Sequence, residues 1–216
     1  PETLESALAA APAGVHHAQP AAVSITQLSE AGTAYRPEHV AAIGRICRAR
    51  GLVLHMDGAR FANALVGLGC SPAELTWRAG VDLLSFGATK NGALAAEAVV
   101  VFRKDLAASL GYRRKRAGHL FSKMRFLSAQ LEAYLAGDRW LHNARRANAQ
   151  ARRLAEGLAG LPGVAILHPV DGNEVFAEMP AAMVAAIESD GFALEPWGPA
   201  TGERRLMRLV AAFDTD

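Results

Sequence analysis

The chain has 216 residues, of which 51% are hydrophobic and 20% charged, with 23 basic against 21 acidic side chains. This composition supports a sizeable core and excludes a disordered chain, and a formal charge of +2 excludes the basic surface of a nucleic-acid binder. No apolar run approaches the roughly 20 residues of a membrane span, no basic-then-apolar signal segment opens the chain, and two cysteines, Cys47 and Cys70, make no disulfide framework, so a cytoplasmic setting is expected.

The first predicted element is a short helix from Glu2 to Ala11, with Leu4 and Leu8 four apart and Pro12-Ala13-Gly14 ending it. A strand is expected over 21–26. Ser29 to Thr33 reads as a loop. Pro37 then opens a helix whose apolar face is Val40, Ile43 and Cys47 (or Ile46), closed by Gly51. A strand over 52–56, a helix over 59–68 and a second helix started by Ser71-Pro72 come next. Val81 to Phe86 is a further strand of the buried type. Strand 97–102 follows Lys90 too soon for a crossover helix, so it is expected to run antiparallel to its neighbour.

The second half changes character. Arg113-Arg114-Lys115-Arg116 is a basic cluster whose plain reading is a solvated loop. Residues 120–158 read as two helices parted near Gly137-Asp138. Strands at 164–168, 174–179 and 205–213, with a helix at 181–189, then predict a small α+β domain. The expected division is 1–125 for the larger domain and 126–216 for the linking helices and the smaller one.

The chemistry concentrates between Leu52 and Lys90. Two short strands with a helix between them make a βαβ unit, with a right-handed crossover. Asp57 and Lys90 then stand at the carboxyl ends of neighbouring strands, where open α/β sheets bind ligands. Locally, Asp57-Gly58 is also an ordinary turn and Lys90 an ordinary surface charge. His55 and Asp57 share a strand face, which would suit two metal ligands, but no third stands nearby. A carboxylate and an amine so placed suit pyridoxal phosphate (PLP): the lysine forms a Schiff base and the acid keeps the pyridine nitrogen protonated. Gly87 and Gly92 would let backbone approach such a ligand closely. Arg60 reads either as a helix-surface arginine or as a partner of Asp57 or of a cofactor oxygen.

His55-Met56-Asp57-Gly58-Ala59-Arg60 and Ser85-Phe86-Gly87-Ala88-Thr89-Lys90-Asn91-Gly92 together resemble the cofactor motifs of the threonine aldolase family, PLP-dependent β-eliminating lyases of fold type I. Glu30 to Tyr35 and Gly118 to Lys123 resemble its bacterial low-specificity L-threonine and L-phenylserine branch, and the likeness runs through essentially the whole chain. The resemblance implies an α/β fold: a large-domain portion with a mostly parallel sheet, plus a small C-terminal α+β domain. It implies Lys90 and Asp57 as catalytic residues. Arg60, Thr89, Ser85 and His55 join them around the cofactor, with Thr89 and Ser85 near the phosphate or orienting the lysine. Arg208 would grip the substrate carboxylate, which a planar guanidinium does bidentately. Lys115 or Arg116 would reach a phosphate, against the plain reading of a solvated loop.

The implied reaction cleaves a β-hydroxy-α-amino acid to glycine and an aldehyde, in a homodimer or homotetramer without metal. The family's N-terminal phosphate loop and ring-stacking histidine have no counterpart here, and His16 and His17 read as loop residues. The chain is therefore expected to be the carboxyl-side part of such an enzyme, a poor aldolase by itself and prone to associate through uncovered apolar surface. The rival readings are an inactive fragment serving as a binding or dimerising scaffold, and a related PLP lyase acting on tyrosine or tryptophan.

Overall fold

The computed structural model describes residues 1–199 and 202–216. A helix α1 (Glu2–Ala9) precedes a first sheet of four strands, β1 (Ala22–Thr26), β2 (Val53–Gly58), β3 (Leu83–Gly87) and β4 (Glu97–Val101), in that spatial order. The first three are parallel, and β4 pairs antiparallel with β3, as the short connection from Lys90 requires. Helix α2 (Pro37–Ala49) joins β1 to β2. Helices α3 (Phe61–Leu68) and α4 (Pro72–Leu75) join β2 to β3. Ser71 and Glu74 cap α4 reciprocally, each side chain taking the other residue's backbone N–H.

The strands are not buried on both faces as their apolar runs suggest. In β2, Leu54, Met56 and Gly58 are buried while Val53, His55 and Asp57 are partly exposed. One face of the sheet thus packs on α2 and α3, and the other carries polar side chains. The core contains Val40, Ile43 and Cys47 of α2, Leu54, Met56, Leu84 and Phe86 of the sheet, and Phe61 and Leu65 of α3. Phe86 meets Phe61 and Trp140 edge-on, at ring separations of 6.2 Å and 5.7 Å. The strand that leads to Lys90 is therefore held by aromatic packing worth more than its area alone.

Helices α5 (Leu110–Arg116), α6 (Arg125–Leu135) and α7 (Arg139–Ala159) follow, and α6 and α7 part at Gly137 and Asp138, both with positive φ. The basic cluster is not a loop. Arg113 to Arg116 form the last turn of α5, where positive charge complements the helix dipole. The helical reading from residue 120 begins five residues early, because Gly118 has φ +75° and closes α5 instead.

A second, antiparallel sheet is ordered β5 (Ala165–Ile166), β6 (Glu174–Pro180), β7 (Arg204–Val210), with α8 (Ala181–Ser189) between the last two strands. The division at residue 125 falls at the start of α6, yet the first core runs past it through Tyr134, Trp140 and Ala144. Further along α7, Ala151 and Ala155 pack with Val175 of β6 in a second core. Buried alanines along one stripe of α7 allow close approach to α3. There Asn63 and Asn148, both buried, exchange two hydrogen bonds of 2.9 Å.

Candidate active site

Asp57 is the penultimate residue of β2, and its Oδ1 accepts a 2.9 Å hydrogen bond from the Ala59 N–H. That bond shapes a turn in the manner of an aspartate turn and postpones α3 to Phe61, two residues later than its sequence suggests. Asp57 Oδ2 keeps no hydrogen-bond partner among the described residues. The same turn carries Arg60, whose N–H donates to the Gln27 carbonyl at 3.3 Å. Gly87 lies directly against this turn, where an added Cβ would meet Ala59 Cα at 2.8 Å. The glycine serves backbone-to-backbone approach rather than approach to a ligand.

Lys90 sits in a short helical turn, Thr89–Asn91, just beyond β3. The turn is fixed by its neighbours. Asn91 is buried, and its Nδ2 donates to Tyr134 Oη at 2.7 Å and to the Trp140 carbonyl at 2.8 Å. Asn143 of α7 donates to the Asn91 carbonyl at 2.8 Å. Gly92, at φ +116°, has Asn143 where a Cβ would stand, so it too serves packing. Burial pushes the Tyr134 hydroxyl up to about 12, and it stays protonated. Thr89 does not turn to the lysine. Its hydroxyl bonds the backbone of Ala96, closing the loop that leads into β4.

Asp57, Arg60 and Lys90 border one small cavity, together with Thr26, Glu30 and Glu174. Ser85, His55 and Thr89 do not line it. His55 instead spans the polar face of the sheet, with Nδ1 2.8 Å from Ser24 Oγ and Nε2 2.9 Å from Ser85 Oγ. One ring nitrogen donates and the other accepts, so both are engaged by hydroxyls. No group of three metal-ligating side chains is found among the described residues.

Glu174, at the start of β6, was not singled out from sequence. Its Oε1 lies 3.1 Å from an Arg60 terminal nitrogen and 3.9 Å from Arg208 Nη1. Through it, Arg208 of the second sheet reaches the cavity of the first. Burial pushes the Glu174 carboxyl upward, opposed by the Arg60, Arg208 and Lys90 charges. The signal available in sequence was a carboxylate opening the apolar run Val175-Phe176-Ala177, where an unpaired charge is out of place.

Of the motif Glu30 to Tyr35, Glu30 lines this cavity, and the rest of the loop is braced behind it. Ser29 and Thr33 hydroxyls bond at 2.8 Å, and Gln27 clamps the Tyr35 backbone through both its amide atoms. The Ala34 N–H donates to Asp171 of the second half at 2.9 Å. Lys115 and Arg116 are exposed on α5 and border no part of the cavity.

A mostly parallel sheet with an acid and an arginine on one strand-end turn, and a lysine beyond the next strand, is the frame on which the family comparison falls. The model of that family, described as beta-eliminating lyase, matches residues 1–182, and the chain belongs to it. Two curated relatives, each named low specificity L-threonine aldolase, come from Pseudomonas aeruginosa and a Pseudomonas species. They are 46% and 44% identical over 202 residues, 94% of this chain. The chain spans 57% of the length of each. Among solved structures, the Leishmania major threonine aldolase superposes with a TM-score of 0.91 at 27% identity, over 99% of this chain and 61% of that one. A Listeria monocytogenes protein titled as a putative L-allo-threonine aldolase shares the fold at 18% identity, with a TM-score of 0.71, over 90% of this chain and 57% of that one. The expected α/β architecture is thereby shown. No helix among the described residues is long and apolar enough to cross a membrane.

Proposed function

We propose that this chain serves a PLP-dependent aldolase that cleaves β-hydroxy-α-amino acids of the L-threonine and L-phenylserine type to glycine and an aldehyde. The observation that carries the reading is the convergence of Asp57, Arg60 and Lys90 on one cavity, with Arg208 tied to it through Glu174. The residues fit the cofactor. Asp57 Oδ2 is free of other partners, the Lys90 amine makes no ion pair among the described residues, and Arg60 Nε is buried without a hydrogen-bond partner. Such an orphaned buried donor suits an anionic oxygen.

PLP, when bound, supplies an electron sink for the pair released as the Cα–Cβ bond breaks. Lys90 would hold the cofactor covalently through its amine, Asp57 would keep the ring nitrogen protonated, Arg60 would serve a cofactor oxygen, and Arg208 would receive the substrate carboxylate. His55, with Ser24 and Ser85, stiffens the strand face behind Asp57. Thr89 sets the loop bearing Lys90. The assembly is a homo-oligomer, a reading supported by exposed Tyr112, Leu120, Phe121 and Phe126 on and around α5 and α6. Unpaired Cys47 and Cys70 suit a reducing, cytoplasmic setting.

An absorbance titration with PLP tests the cofactor reading. A saturable band at the violet edge of the visible, lost in a Lys90 variant, supports it. Its absence leaves a scaffold. Glycine release from threonine and phenylserine tests the reaction.

Arg208→Lys should leave that band unchanged. It should raise KM for the amino acid about tenfold, since a lysine cannot make the two parallel hydrogen bonds of a guanidinium. Steady-state kinetics on the holoenzyme check this, and a KM equal to wild type removes the carboxylate grip.

A further inference from the structure

Glu174 has 3% side-chain exposure, and the chemistry above gives it no step. Its position is built by distant parts of the chain. Asn173, buried beside it, pins the start of β6 by donating to the Ala211 carbonyl at 2.8 Å. Gly32 packs closely against it: at φ +72°, an added Cβ would meet Glu174 Cβ at 3.1 Å. The charged groups facing Glu174 are Arg60, Arg208, Lys90 and Glu30, which come from four separate segments.

Arg208 is held on two sides. Its guanidinium carbon lies 4.1 Å from the centre of the Trp197 ring, and its Nη1 faces Glu174. The indole fixes the plane of the guanidinium, and the carboxylate fixes its rotation within that plane. No other carboxylate among the described residues pairs with Arg208. The Glu174 carboxylate is buried while the Arg208 side chain stays one-third exposed, so the pair sits at the edge of the buried region.

We propose that Glu174 is a positioning residue for Arg208. One buried carboxylate, shared by Arg60 and Arg208, aims the Arg208 guanidinium at the substrate carboxylate and ties that grip to the turn that carries Asp57. The inference rests on the aldolase reading, in which Arg208 receives the substrate. Glu174 borders the cavity, and the role assigned to it is its pairing with the two arginines, not a chemical step. Its loss is therefore felt in binding rather than in chemistry.

Glu174→Gln keeps the shape and removes the charge. In the holoenzyme it should raise KM for phenylserine, and Kd for the product glycine, by about tenfold, the scale of one charge-assisted contact. The PLP absorbance band should be unchanged, and kcat should stay within about threefold, because uniform binding is what is lost. Glu174→Asp keeps the charge one methylene further back, and its KM should lie between those of wild type and Glu174→Gln. If Glu174→Gln does not fold, the aspartate variant decides alone: a raised KM supports the inference and a wild-type KM overturns it. Arg208→Lys is run in parallel. A raised KM there, beside a wild-type KM in Glu174→Gln, overturns the role of Glu174 and leaves the aldolase reading standing. A wild-type KM in Arg208→Lys removes the grip itself, and the inference with it.

Discussion

Replacing Lys90 by alanine is expected to cut aldolase turnover by on the order of 1,000-fold or more, the scale seen when a covalent catalytic group is deleted. The fold should not notice. Lys90 is exposed, and the bonds that hold its loop are made by Asn91, Thr89 and Asn143. The contrast is Asn91→Ala, which strips the donor from buried Tyr134 Oη and the Trp140 carbonyl and should cost about 2 kcal/mol of stability. Thermal melts and glycine assays on the two variants separate the roles. A Lys90→Ala protein that still forms the visible PLP band, or turns over normally, would exclude Lys90 as the attachment point.

Asp57→Ala should lower kcat by about 100-fold or more, corresponding to roughly 3 kcal/mol of lost transition-state stabilisation. A carboxylate that keeps a proton on the cofactor ring matters most when the ring accepts electrons, so the loss falls on kcat. The side chain also accepts the Ala59 N–H, so some destabilisation accompanies the change. Asp57→Asn separates the two effects: the amide oxygen still accepts that N–H, but no longer favours a protonated ring. Both variants should bind PLP and fail at turnover. Near-normal kcat in Asp57→Asn would reject the assignment.

The strand-end places of Asp57 and Lys90 were legible in the sequence because each is written locally. Apolar runs mark β2 and β3, and Asp57 and Lys90 stand at the ends of those runs. The antiparallel β4 followed from too few residues for a crossover, and Gly137-Asp138 marked the break between α6 and α7. What stayed hidden depends on contacts between distant segments. Gly87 and Gly92 were recognisable as close-approach positions, but nothing local says that they approach Ala59 and Asn143. Thr89 looked like a neighbour of the lysine, yet the backbone of Ala96, seven residues further on and just before β4, claims its hydroxyl. Glu174 reads as one polar residue at the head of a strand. Its meaning comes from Arg60 and from the register that places Arg208 opposite Phe176. Helix α5 was missed because Leu110 to Arg116 is dominated by one charged face, with no buried residue to set a period.

Helix α7 meets the lysine loop through Asn143 and Trp140, and two turns later it meets β6 through Ala151 and Ala155. It is the shared shaft on which the lysine loop and the sheet that carries Arg208 are keyed. Each residue of an α-helix advances the angle by roughly 100°. One alanine inserted between Ala144 and Ala151 would turn the downstream stripe away from β6 while leaving the upstream grip on Asn91 in place. Helix propensity would be unharmed, yet Arg208 and Lys90 would no longer be clocked to each other. The length of α7 between the two grips thus behaves as a fixed gear ratio.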